Sequence, residues 1–104
     1  MDTRRTKIET MLDAEPDDVF LNYGLAIELM RDGDHNEAVL QFDRVLAIDA
    51  DYTAGYHHKA NALIALKRFA EAKTTLEAGM QAARRAGNVH AESEMRELLD
   101  TLPS

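Results

Sequence analysis

The chain has no cysteine, so a disulfide framework, a thiolate zinc site and a cysteine nucleophile are all excluded. No stretch approaches the roughly 18 consecutive apolar residues of a membrane-spanning helix. Positive charge is also in deficit. Twelve Lys and Arg against nineteen Asp and Glu leave a net charge of −7, and a surface of that sign repels phosphate backbones. Nucleic acid and membrane are therefore not expected partners. The five glycines stand singly, at Gly24, Gly33, Gly55, Gly79 and Gly87, so no phosphate-cradling loop is formed.

What is present describes a folded domain. The 104 residues fit one core and no more, and 45% hydrophobic with 30% charged content is that of a globular chain rather than a disordered one. The basic residues Arg4, Arg5 and Lys7 are not followed by an apolar run, so this end is not read as a secretory signal. The expected location is the cytoplasm.

The strongest feature is an internal repeat. Asp34 to Phe42 resembles Arg68 to Leu76 at an offset of 34, pairing Glu37 with Glu71, Ala38 with Ala72, Phe42 with Leu76 and Leu46 with Met80. The preceding segment keeps the offset through Ala26 and Ala60, Leu29 and Leu63. Backwards, it relates Phe42 to Ile8, Val45 to Met11, Leu46 to Leu12 and Ala50 to Pro16. Small residues at Ala26, Ala38, Ala60 and Ala72 let helices approach to roughly 8–10 Å, and Phe42 and Leu76 fill the space beside them.

On these residues the chain resembles the tetratricopeptide repeat family, whose unit is a 34-residue pair of helices. The resemblance covers about residues 3–102. It implies an all-α fold, a right-handed superhelix of antiparallel helix pairs (an α-solenoid), with about six helices. Departures are few. The proline that ends a unit is replaced by Ala50 and Arg84, Lys59 stands at an apolar position, and Lys67 stands where the first unit has Gly33.

Periodicity and punctuation place the helices within a single domain over 1–104. An amino-terminal half-repeat helix is expected over 3–14, a first repeat over 18–50, a second over 53–86, and a capping helix over 90–102. Glu15-Pro16-Asp17-Asp18 separates the first two helices, and Gly87-Asn88 stops the fifth. The polar face Glu92, Glu94, Arg96 and Glu97 suits the solvated end of an array.

Catalytic chemistry finds little support. His57 and His58 are adjacent and diverge by roughly 100° around a helix, so they do not form the i, i+4 pair of a helical metal site. His35 and His90 read as ordinary polar positions. The carboxylates Glu9, Asp13, Asp43, Glu71, Glu77 and Glu97 fall on solvated faces and converge with no nucleophile. No enzyme activity, cofactor or metal is expected. Arg84 and Arg85 suit the negative pole of a helix end, whereas Arg4 and Arg5 sit at an unfavourable start, which either a contact or fraying explains.

The resemblance instead implies binding. In the family, the first helix of each pair lines a concave groove for a peptide or helix. Carried onto this chain, the groove holds Phe20, Tyr23, Ile27 and Met30, then His57, His58, Asn61 and Ile64. Several are apolar or aromatic on a face that the core does not require, as interaction sites are. Some family members clamp a terminal carboxylate with lysines and asparagines; here those places hold Tyr23, Gly24 and Ile27, so hydrophobic or helical ligands are favoured. The expected partner is a protein or peptide ligand; the alternative is a second copy of the chain, a homodimer covering its own groove.

The repeat alignment carries a direct test. Ala38→Leu or Ala72→Leu should overpack a helix crossing and destabilise by about 1–3 kcal/mol in urea denaturation, while wild-type-like melting would undo the pairing.

Overall fold

Three polar side chains start helices by accepting a bond from an otherwise unpaired amide. Thr3 accepts from the Thr6 N–H at 3.1 Å, Asp18 from Leu21 at 2.9 Å and Asn88 from Ala91 at 3.0 Å. In the computed structural model, which describes residues 3–103, these begin α1 (Arg4–Ala14), α2 (Val19–Arg31) and α6 (Val89–Asp100). Between them lie α3 (His35–Ile48), α4 (Thr53–Ala65) and α5 (Phe69–Arg85). Among the described residues there is no strand. The helix expected over 3–14 is Arg4–Ala14 and the capping helix expected over 90–102 is Val89–Asp100; Met1, Asp2 and Ser104 lie outside the described residues.

Three helices stop in the same way. Gly33, Lys67 and Gly87 all adopt positive φ, at 81°, 60° and 68°. The amide of each following residue bonds back to the carbonyl five positions earlier: Asp34 to Leu29, Arg68 to Leu63 and Asn88 to Ala83, at 2.8–2.9 Å. These are Schellman caps, which satisfy carbonyls that a helix end leaves open. Lys67 holds the left-handed conformation without being glycine, so hydrogen bonding and packing impose the turn.

The offset of 34 reappears as burial. Ala26 and Ala60, Ala38 and Ala72, and Phe42 and Leu76 are fully buried, as is Leu63, and its counterpart Leu29 nearly so. It also reappears as a hydrogen bond made by different chemistry. The Asn22 side-chain amide donates to the Pro16 carbonyl at 2.9 Å, and the Tyr56 hydroxyl donates to the Ala50 carbonyl at 2.6 Å. Asn22 and Tyr56 are 34 apart, as are Pro16 and Ala50. Asn22 is 1% exposed and satisfied further, donating to the Asp18 carbonyl at 2.8 Å and accepting from Gln41 at 2.7 Å.

Each helix packs on its neighbours in sequence, and in addition α2 touches α4 and α4 touches α6. Among the described residues α1, α3 and α5 do not touch one another. The helices therefore form an inner row, α2, α4 and α6, and a splayed outer row. An array tight on one side and open on the other curves toward the tight side, giving the right-handed superhelix its concave face. The extents are 41 × 29 × 19 Å.

Lys59, at an apolar position of the repeat, is accommodated by Asp43, whose Oδ1 lies 2.6 Å from its Nζ. Arg5 does make a contact: its Nη1 lies 3.1 Å from Asp34 and 3.4 Å from Asp32, tying α1 to the α2–α3 turn. Arg85 pairs with Asp51 at 2.8 Å, and Arg84 bonds Glu92.

Replacing Lys67 by glycine should remove the left-handed penalty. Against the extra freedom of an unfolded glycine, the net expected gain is about 0.5–1 kcal/mol, read from the urea midpoint. A loss of stability would mean that Lys67 makes compensating contacts.

Candidate functional site: the concave face

The eight groove positions meet three different fates. Phe20, two residues into α2, is 70% exposed and lies on the inner row. Tyr23, Ile27, Met30 and Ile64 are half-buried and pack against the cluster of Ala26, Leu29, Phe42 and Leu63. They are thus partly core, contrary to the expectation of a face that the core does not require. The reason lies in the packing of α2 against both α3 and α4, which widens the buried stripe beyond one helix seam. His57, His58 and Asn61 are half-buried on α4.

The structure gathers Tyr23 and His58 into an aromatic group. Tyr23 lies 5.1 Å from Tyr52, 5.8 Å from His58 in an edge-on arrangement, and 6.2 Å from Phe42, by ring centroids. His58 stacks on Phe42 at 6.2 Å and on His57 at 5.9 Å. Tyr52, at the α3–α4 turn, was not among the expected residues. Its signal was position: it directly precedes α4, so its ring can reach the preceding inner helix.

Burial, then the neighbouring His57, pushes the His58 imidazole below its ordinary value. Burial also raises the Tyr23 and Tyr52 phenols, with a smaller contribution from each one's acidic neighbour, Tyr52 and Asp49 respectively. His57 and His58 stack rather than converge, and no group of three or more metal-ligating side chains occurs among the described residues. No described helix is long and apolar enough to cross a membrane.

Beside the histidines, a cavity of about 240 Å³ separates α4 from α6, lined among others by Thr53, His57, His58, Asn88, Glu94 and Met95. A second cavity, of about 310 Å³, lies between α4 and α5 around Lys59, Leu63, Glu71 and Thr75. There Glu71 is held below the usual carboxylate range, chiefly by its hydrogen bond from Arg68.

A paired-helix array with an inner row and a 34-residue unit defines the class, a helical repeat protein with a concave face. A sequence model described as tetratricopeptide repeat matches residues 29–91, more than half of the chain. The chain belongs to the tetratricopeptide repeat family.

Solved structures agree. A tetratricopeptide repeat domain protein from Salinibacter ruber is 28% identical with a TM-score of 0.76, covering 81% of this chain and 85% of its own. The TPR2B domain of yeast Sti1, solved in complex with an Hsp70 peptide, superposes with a TM-score of 0.86 at 24% identity, over 91% of this chain and 76% of its own. The first such domain of Spaghetti (RPAP3), bound to the HSP90 peptide SRMEEVD, gives a TM-score of 0.75 at 24% identity, over 89% and 72% of the two chains. No curated protein sequence matches this chain.

Because His58 resists protonation in the fold, the unfolded chain binds the extra proton as pH falls through about 6.5, and stability should drop there. The groups facing His58 are His57 on α4, Tyr23 and Phe42 around its ring, and Glu94 across the cavity. Urea midpoints between about pH 7.5 and pH 5 should fall for the native chain and more shallowly for His58→Asn. Equal slopes would mean that His58 does not control the effect.

Proposed function

We propose that this chain is a protein-interaction module that takes a peptide or helix of another protein along the inner row, centred on Phe20, Tyr23, His57 and Asn61. The observation that carries this reading is the exposure of Phe20. An aromatic ring 70% in water beside half-buried Tyr23 costs the free protein apolar hydration, which a docked partner would relieve. Family membership supports it, since peptides occupy two of the similar structures. Ile27, Met30, His58 and Ile64 extend the same contact strip in this reading, each leaving part of its surface outside the core. A cytoplasmic setting fits the cysteine-free composition.

Phe20→Ala tests the assignment, because Phe20 makes little of the core. Its stability should stay within about 0.5 kcal/mol of the native chain. Its affinity for a purified partner, first recovered by cross-linking in lysate, should fall at least about tenfold. Unchanged affinity would remove Phe20 from the binding face. Light scattering at several concentrations completes the test: a dimer that Phe20→Ala dissociates would assign the face to a second copy instead.

A further inference from the structure

The inner row has two steps, α2 to α4 and α4 to α6, and the repeat makes them comparable. At the first step the groove position of α2 is Tyr23, and its ring occupies the junction, against Tyr52 and His58. At the second step the residue 34 positions on is His57, and there the cavity of about 240 Å³ opens. The size is that of a side chain rather than of a drug-sized ligand, whose sites begin at about 300 Å³.

The lining of this cavity is rich in electron density and poor in cations. Glu94 brings a carboxylate, and no lysine or arginine lines the walls. The Thr53 hydroxyl gives its hydrogen to the Asp51 carbonyl at 3.3 Å, which leaves its oxygen as an acceptor. Asn88 uses its carbonyl oxygen on the Ala91 amide. The His57 imidazole also lines the walls, one side of it stacked on His58. His58 is held toward its neutral form by burial. On its own helix Glu94 has the exposed His90 ring 3.5 Å away.

We propose that this cavity receives the basic side chain, arginine above lysine, of an extended peptide lying along the inner row, its guanidinium between the Glu94 carboxylate and the His57 imidazole. The proposal rests on the peptide-binding reading above and names its chemistry. Arginine is favoured because a planar guanidinium both bonds a carboxylate through two N–H groups and stacks on a ring, which an ammonium does not do. The net charge of −7 draws such a peptide in from a distance. An acidic side chain at this point would meet Glu94 with no lysine or arginine on the walls.

A displayed library of random peptides, selected on the whole chain, supplies the probe. Selected peptides should share one basic position. A synthetic consensus peptide should bind at least tenfold more weakly when its arginine is replaced by citrulline, and equally so to Glu94→Gln. His57→Tyr, which restores the filled arrangement of the first step, should abolish the preference for arginine and leave the melting curve native. A consensus without a basic residue, or one indifferent to both variants yet lost in Phe20→Ala, overturns the cavity assignment and leaves the groove reading standing. Selection of no peptide, or binding indifferent to Phe20→Ala as well, overturns both.

Discussion

Everything in this protein depends on how closely its helices cross. Ala26, Ala38, Ala60 and Ala72 are fully buried, and none offers more than a methyl group to separate two backbones. Phe42 and Leu76 fill the space beside them, so dispersion contacts rather than directed bonds set the helix spacing. At Gly79 the approach is closer still, since a Cβ there would stand 2.6 Å from both the Met95 sulfur and the Tyr56 Cβ. The second repeat thus carries a large Tyr56 where the first has Asn22, and makes room for it by giving up a side chain on α5.

Those crossings tilt each outer helix away from the next while the inner helices stay in touch, and the concave face follows. The charged residues do something else. Arg5 with Asp32 and Asp34, Arg85 with Asp51, and Arg84 with Glu92 are largely solvent-exposed pairs. Such pairs add little to stability, so they align elements that packing has already brought together. The acidic surplus leaves the chain with a net charge of −7.

The concave face is not a uniform strip. Its first step is closed by the protein's own aromatic rings, and its second is open beside two histidines and a glutamate. Strict repetition would have filled both. Exchange of Tyr23 for His57 at the same repeat position breaks the sameness, which gives the concave face polarity along its length.

The sequence by itself determined the helix order and the repeat. Small and large residues at a fixed offset can satisfy close packing in only one register, so Ala38 with Phe42 and Ala72 with Leu76 were legible before any coordinates. The glycine turns were equally plain, but Lys67 was not, because only the hydrogen bonds closing the helix end force a lysine into the left-handed region. Nor could the sequence equate Asn22 with Tyr56, an amide and a phenol that reach the same carbonyl six residues back. Exposure along the groove was likewise a tertiary decision. Tyr23, Ile27 and Phe20 share one helical face, yet α3 and α4 together cover the first two and stop short of Phe20. Helical period fixes which residues point the same way, whereas the neighbouring helices decide how far along that face the cover extends.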